Sequence, residues 1–293
     1  MIIQSKGEIA ESLYAIGTPL FPAFLLMADQ PVLFDAGLFA QGPLYLEELK
    51  ALLGDENRLL FNFLTHSHFD HCGGSFYLKS KIAQLEIGAH SIAADILKKP
   101  SAVALIKNLN QEYDRELCHE DVSFNNLNVD IVFEDGMEFD LGRGLGFKVI
   151  ATPGHTRDSI SFFIPKYKAL IPGEAVGVFD MNMTIHPDFP SSYNDYFSSL
   201  EKLASLDLEI LMMSHSFTLT GDDAKDYIAK SIKETLRFKK RIEQYLHECN
   251  GNTEAVVQRI FEEDYKATGA ILQGERAYLL NLTAMVKSLA ELK

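Results

Sequence analysis

The chain has 293 residues, a length that allows one large domain or a domain with a smaller appendage. Hydrophobic residues make up 47% of it, which is enough for a sizeable core. Its formal net charge of −14 disfavours DNA or RNA as a partner, because a surface that binds phosphate backbones is basic. The three cysteines, Cys72, Cys118 and Cys249, form no paired framework and are typical of a reducing compartment. The sequence has neither a signal-peptide pattern nor an apolar stretch that could cross a bilayer, so we expect a cytoplasmic protein with no membrane partner.

The first part of the chain alternates apolar segments with short breaks, which is typical of strands. Three strands are predicted, at Leu13–Ile16, Ala23–Met27 and Pro31–Phe34, and the third ends at Asp35. Residues 43–53 then carry leucines at helical spacing behind a proline, which predicts a helix.

The densest set of metal-binding side chains follows directly after the apolar run Leu59–Leu64. Four potential ligands fall within six residues: His66, His68, Asp70 and His71. The order predicts a buried strand that delivers these side chains into a tight loop ended by Gly73 and Gly74.

Imidazole nitrogen and carboxylate oxygen are ligands that zinc, iron and manganese accept. His66 and His68 are two residues apart, so on an extended backbone they project to the same side and can share an ion. Asp70 and His71 turn away and can serve a second ion. The alternative is a polar surface loop, but three of the chain's nine histidines would rarely fall into this pattern by chance.

Beyond this segment, a helix is predicted at Ser75–Lys81 and a short strand at Gln84–Gly88. His90 follows the strand and is interpreted as a loop residue and not as a ligand. Residues 91–118 have the apolar spacing of one helix broken at Pro100 and then a second. This region either forms a wall of the substrate site or packs on the sheet, and the sequence favours neither.

Strands return between residues 129 and 171. They are predicted at residues 129–133, 147–151, 159–164 and 169–171, with a glycine-rich hairpin at residues 140–144. Residues 177–197 are rich in Phe, Met, Pro and Tyr and could line an apolar acyl or aromatic pocket, although core packing is the ordinary interpretation. His186 in this segment is a weak candidate for a substrate contact.

The pattern becomes helical from Asp222 onward, after a final strand at Ile210–Met213. Residues 237–241 form a basic cluster in an otherwise acidic protein. The cluster could contact an anionic group of a substrate, such as a phosphate or carboxylate, but a solvated helix face is the more ordinary interpretation.

The pattern His-X-His-X-Asp-His at residues 66–71 is the signature of the metallo-β-lactamase fold, and residues 10–220 resemble that superfamily. The stretch Gly154–Ile160 is similar to its glyoxalase II and thioesterase-like members. The resemblance implies an α/β fold, an αββα sandwich over residues 1–221, followed by a C-terminal helical extension over residues 222–293. A narrower resemblance, to quinolone-signal response proteins with thioesterase activity, rests on Asp70-His71-Cys72 and the helical regions.

The resemblance also implies three further ligands, each after an apolar strand-like run: His155, Glu174 and His215. His66, His68 and His155 would hold one divalent ion, and Asp70, His71 and His215 a second, with Glu174 as the bridge. The family's Asp-X-Gly strand end matches Asp35-Ala36-Gly37, where the aspartate would support the metal-binding loops; a simple turn is the alternative.

These ligands predict a hydrolase with two ions of zinc, iron or manganese. Two ions about 3.5–4 Å apart can hold a bridging water as hydroxide and polarise a carbonyl. Asp70 would accept the proton and pass it to the leaving group. From the resemblance, we expect a small-molecule substrate with an ester-type bond, preferably an acyl thioester. The sequence leaves a homodimer open.

One position departs from the commoner family pattern, because Glu174 stands where most relatives have aspartate. The longer side chain must fold back or change the spacing of the ions. Two other interpretations therefore stay open: a regulatory effector with a residual or structural metal site, and a di-iron redox centre. The di-iron redox members of the superfamily carry glutamate where this chain has His68. They also carry a flavodoxin domain, which this sequence lacks.

Overall fold

The computed structural model describes residues 1–113, 124 and 127–291. Contacts divide the chain into two compact units. The first comprises residues 1–151, 158–173 and 208–221, and the second comprises residues 152–157, 174–207 and 222–293. The division into a domain of residues 1–221 and an extension of residues 222–293 stays a prediction.

The first unit is built on two mixed, seven-stranded sheets. In chain order its strands are β1 (Ile2–Gln4), β2 (Gly7–Ala10), β3 (Leu13–Thr18), β4 (Phe21–Leu26), β5 (Val32–Phe34), β6 (Phe61–Phe63), β7 (Glu86–His90), β8 (Ile131–Phe133), β9 (Glu138–Gly142), β10 (Leu145–Ala151), β11 (Ile160–Ile164) and β12 (Ala169–Ile171). After β13 (Val178–Phe179) and β14 (Ile185–His186) of the second unit, β15 (Ile210–Met212) and β16 (Phe217–Thr220) complete the set.

One sheet has the order β2-β3-β4-β5-β6-β7-β8, and the other has the order β1-β16-β15-β12-β11-β10-β9. Strands β5 to β8 pair in parallel, so the ends of β5 and β6 lie at the same edge of their sheet. Strand β4 is buried at every position, as expected for a strand covered on both faces.

A cluster of phenylalanines forms the core that both sheets share. Phe34 packs at 5.4 Å from Phe147 and 4.8 Å from Phe162, and Phe63 lies 5.5 Å from Phe147 (ring centroids). All four rings are almost completely excluded from water. Burial of side chains of this size is worth about 1.5–3 kcal/mol each, so this cluster fixes the strand ends that carry the candidate ligands.

Helices cover the other face of the β2–β8 sheet. They are α1 (Gly42–Leu53), α2 (Phe69–Lys81), α3 (Ser91–Leu97) and α4 (Pro100–Tyr113). The predicted helix at 43–53 and the break at Pro100 are confirmed, whereas the part of the second predicted helix beyond Tyr113 lies outside the described residues.

The predicted glycine-ended loop after the metal motif is wrong. Helix α2 begins at Phe69, so Asp70 and His71 lie in its first turn. Gly73 and Gly74 are helical and serve close packing: a Cβ on Gly74 would lie 2.0 Å from the carbonyl oxygen of Ala36. The glycines that indicated a turn in the sequence instead let the helix approach the end of β5.

The second unit contains the β13–β14 hairpin and four helices: α5 (Tyr193–Ala204), α6 (Asp222–Glu248), α7 (Thr253–Ile260) and α8 (Glu275–Glu291). A π-helical stretch, Phe261–Lys266, continues α7. The helical C-terminal region expected from the sequence is confirmed. Among the described residues, none of the helices has the length and apolar character that a bilayer span requires.

Candidate metal centre

Asp35 organises the beginning of the site from the end of β5. Its backbone has φ of 55°, a left-handed conformation that aspartate tolerates better than most residues. Its carboxylate accepts hydrogen bonds from the backbone N–H of Thr65 (2.8 Å), from the hydroxyl of Thr65 (2.9 Å) and from Nδ1 of His71 (2.9 Å). The predicted support of the metal-binding segment by Asp35 is confirmed by these contacts.

Several imidazoles of the set are held through Nδ1. His71 donates to Asp35, and His66 lies 3.0 Å from the hydroxyl of Thr65, which itself donates to Asp35 and therefore accepts from His66. His215, in the turn after β15, donates from Nδ1 to the carbonyl oxygen of Leu20 at 2.8 Å.

His155 follows the same rule in the second unit. Its Nδ1 lies 3.1 Å from the carbonyl oxygen of Asp188, which can only accept. In a neutral imidazole whose Nδ1 donates, Nε2 keeps its lone pair, so these contacts favour Nε2 as the atom that can coordinate a metal ion.

The loop that carries His155 is shaped by contact with α5. Gly154 has φ of 133°, and a Cβ there would lie 2.2 Å from the backbone nitrogen of Tyr196. The carbonyl oxygen of Gly154 accepts from the backbone N–H groups of Ser191 and Ser192, just before the helix. A glycine is required because the helix packs directly on the loop.

Two groups of side chains have donor atoms within 4.8 Å of one another. One group is His66, His68, His155 and Glu174; the other is Asp70, His71, Glu174 and His215. The structure therefore brings together every ligand predicted from the sequence, in the two sets predicted. Three imidazoles with a carboxylate, and two imidazoles with two carboxylates, are donor sets that suit zinc, iron or manganese. The ligand roles themselves stay predictions.

Glu174 belongs to both groups, and it is buried. Its Oε2 lies 2.7 Å from Nε2 of His155. Burial lowers the pKa of His155, but the carboxylates of Glu174 and Asp188 outweigh that effect and raise this pKa well above its ordinary value. The longer side chain thus places its carboxylate within reach of both donor groups, and its bridging role stays a prediction.

Asp70 is partly exposed, and its Oδ2 lies 3.8 Å from Nε2 of His215. Ring centroids are 4.7 Å apart for His66 and His68 and 4.1 Å apart for His66 and His71. Cys72 follows this set in the chain but belongs to neither donor group, and its Sγ lies 3.6 Å from the carbonyl oxygen of Ser67. Burial raises the pKa of the Cys72 thiol well above its usual value, which keeps it protonated.

The remaining histidine candidates lie outside both groups. Nδ1 of His90 accepts from the backbone N–H of Ile92 at the beginning of α3, as expected for a residue that is not a ligand. Nε2 of His186 lies 3.0 Å from the carboxylate of Asp180 within the β13–β14 hairpin. That contact gives His186 a local structural partner.

The basic cluster at residues 237–241 lies among carboxylates. Arg237 is 3.6 Å from Glu234, Lys239 is 3.3 Å from Glu243, and Arg241 forms a two-pronged pair with Asp264. These neighbours offset the positive charge of the cluster. This favours an ion-paired helix face over a site that binds an anionic group of a substrate.

The aromatic segment at 177–197 divides into two parts. Phe189 and Tyr196 are fully buried, whereas Met181 is 59% and Met183 is 38% exposed. Most of the aromatic rings therefore serve core packing, and the exposed apolar surface is at the tip of the hairpin.

Two buried aspartates near the candidate ligands were not predicted from the sequence. Oδ2 of Asp158 accepts from the backbone N–H of Ser67 at 2.8 Å and so holds the segment between His66 and His68. Asp188 contacts His155 with both its carbonyl and its carboxylate. Asp158 stood within the glyoxalase-like stretch and could have been selected; Asp188 stood in no motif.

Comparison with known proteins identifies the family. The family model described as the metallo-beta-lactamase superfamily matches residues 23–215. The chain belongs to this superfamily. Its expected fold, an α/β metallo-β-lactamase fold with a helical C-terminal region, is confirmed by solved structures. A metallo-beta-lactamase family protein from Thermus thermophilus has a TM-score of 0.68 at 19% identity, with 97% of this chain and 93% of that chain covered.

A superfamily protein from the archaeon Sulfolobus tokodaii has a TM-score of 0.60 at 18% identity, covering 98% of this chain and 99% of its own. Among sequence relatives, a probable metallo-hydrolase from Bacillus subtilis is 27% identical over 68% of this chain and 81% of its own length. A hydroxyacylglutathione hydrolase from Brucella anthropi is 27% identical over 61% of this chain, and the match spans 58% of that enzyme. The superfamily relation makes the chain a member of a metal-binding hydrolase group.

Proposed function

We propose that this protein is a metal-dependent hydrolase that cleaves an ester-type bond, with a thioester preferred, at a site for two divalent ions. The observation that carries the proposal is the presence of Glu174 in both donor groups, each completed by imidazoles. When bound, the ions lower the pKa of a coordinated water and polarise the scissile carbonyl.

The chain's own residues orient that chemistry. Acceptors at Nδ1 orient the rings of His66, His71, His155 and His215, which leaves each Nε2 to face a metal ion. Asp70 combines partial exposure with a carboxylate oxygen 3.8 Å from His215. It can therefore take up the proton of the attacking water and deliver it to the leaving group.

The preference for a thioester comes from two considerations. A thiolate leaves without needing much protonation, which suits a site whose general acid would be Asp70 alone. The similarity to hydroxyacylglutathione hydrolases points in the same direction. The net charge of −14 disfavours nucleic acids as substrates.

The test compares two ligand variants with a matched histidine variant. We expect His68→Ala and Asp70→Asn to reduce hydrolysis at least about 100-fold, because each removes a member of a donor group. His90→Ala removes a histidine at the end of β7 that lies outside both groups, and we expect it to retain wild-type activity.

Metal-loaded protein would be assayed with a thioester, an oxygen ester of the same acyl group and a phosphate monoester. Release of free thiol reports the first reaction. Wild-type rates in His68→Ala or Asp70→Asn would overturn the mechanism, and a faster rate with the oxygen ester would overturn the thioester preference.

A further inference from the structure

The carboxylate of Asp188 occupies an unusual position behind His155. It is buried, and its Oδ2 lies 3.3 Å from Nδ1 of His155. The same oxygen accepts a hydrogen bond from Nδ2 of Asn281 at 2.8 Å. Asp188 therefore lies between a candidate metal ligand and a residue of α8, 93 positions later in the chain.

Helix α8 holds this stretch at two adjacent points. Asn281 contacts the side chain of Asp188, and Sδ of Met285 accepts from the backbone N–H of Phe189 at 3.3 Å. Positions four apart lie on the same face of a helix, so one face of α8 fixes both residues. The segment that carries Asp188 is thereby set by the C-terminal helix.

A buried carboxylate that can rotate freely about its Cβ–Cγ bond would not orient an imidazole by itself. Oδ1 of Asp188 is buried and has no hydrogen-bond partner among the described residues, so Oδ2 carries the polar contacts. A second donor on Oδ2 restricts the carboxylate to the orientation that faces His155. Removing that donor would let the carboxylate rotate and would leave a buried acceptor less well satisfied.

We propose that Asn281 is a positioning residue for the metal centre, acting through Asp188 on His155, so that α8 contributes to metal affinity without contacting the ion. The proposal rests on the proposed function, because it assumes that His155 is a ligand. Partners of this kind orient ligand imidazoles and raise their basicity, and their loss typically costs about 10–100-fold in metal affinity.

The test measures zinc affinity of the metal-free full chain by competition with a chromophoric chelator. We expect Asp188→Asn to weaken binding by about 10–100-fold and Asn281→Ala by about 10-fold. Thr283→Ala is the matched control, since it truncates a half-buried polar residue on the same helix; we expect unchanged affinity. Thermal unfolding of each metal-free variant reports whether the fold is retained.

A combined Asp188→Asn and Asn281→Ala variant separates positioning from general loosening of the helix. If Asn281 acts only through Asp188, the double variant loses no more affinity than Asp188→Asn alone. Additive losses, or wild-type affinity in Asn281→Ala, would overturn the proposal. Should the alanine variant fail to fold, Asn281→Leu removes the same donor while keeping the bulk.

Zinc binding needs no substrate, so this outcome is independent of whether the thioester assay succeeds. Weakened binding in Asn281→Ala together with no hydrolysis of any ester would support the positioning role and reject the proposed reaction. A wild-type protein that binds no zinc would overturn the positioning role as well.

Discussion

We expect the number of bound ions to depend on Glu174. It is a member of both donor groups, so its charge should be shared by both ions. We expect about two equivalents of metal per wild-type chain, and about one in Glu174→Gln, because a neutral amide of the same length cannot offset the charge of two cations.

Elemental analysis of protein purified without chelators or an affinity tag measures this directly. Glu174→Asp is the matched control, since it keeps the charge and shortens the side chain to the commoner length, and it should retain both ions. Two equivalents in Glu174→Gln would show that the bridging assignment is wrong. A wild-type chain that binds no metal, even after reconstitution, would favour the alternative of a regulatory effector.

At the scale of elements, the packing of α2 on the end of β5 depends on Gly74. A Cβ there would meet the carbonyl oxygen of Ala36 at 2.0 Å, and the backbone N–H of Gly74 donates to the carbonyl of Gly37 at 3.1 Å. We expect Gly74→Ala to lower the free energy of unfolding by about 2–3 kcal/mol, because the backbone of α2 and the backbone at Ala36 must move apart.

Urea denaturation of the metal-free protein measures that loss. Ser80→Ala, nearer the end of the same helix, is the control and should change the free energy of unfolding by about 0.5 kcal/mol or less. A stability of Gly74→Ala equal to that of Ser80→Ala would contradict the packing role given to this glycine.

The elements that sequence analysis predicted correctly are those with a local pattern. The run Leu59–Leu64 has an apolar pattern and the candidate ligands after it form a motif, so both the strand and the set of donor side chains could be predicted. The beginning of α2 could not be predicted, because glycines such as Gly73 and Gly74 occur both in turns and where a helix packs closely on another element. Only the contact with Ala36 distinguishes close packing from a turn, and that contact is part of the tertiary structure.

Asp188 and Asn281 illustrate the same limit for the site. They are 93 residues apart, and neither stands in a motif. Their contact exists only because α8 packs on the stretch that contains Phe189. A single sequence holds no local signal for such a pair.

For the whole molecule, bound metal should be a large part of the measured stability. An ion that binds only the folded chain adds about 4 kcal/mol when its free concentration is 1,000 times its dissociation constant. Removing it with a chelator should therefore lower the apparent midpoint of thermal unfolding by about 10 °C.

Differential scanning calorimetry with and without chelator tests this expectation. A variant with both His66→Ala and His71→Ala lacks one ligand of each group and should shift little on chelation. Equal midpoints for the wild-type protein in both conditions would mean that metal is not coupled to folding.

The pairing of β1 with β16 has a consequence for the order in which the protein matures. The hydroxyls of Ser5 and Thr218 meet at 2.9 Å across 213 positions, so this edge of the sheet cannot form until synthesis has passed Thr218. His215 lies in the turn just before β16. A nascent chain on the ribosome thus exposes His66 to His71 long before the second donor group is complete. We expect acquisition of the second ion to wait until His215 has been synthesised and the slow, long-range pairing of β1 with β16 has formed.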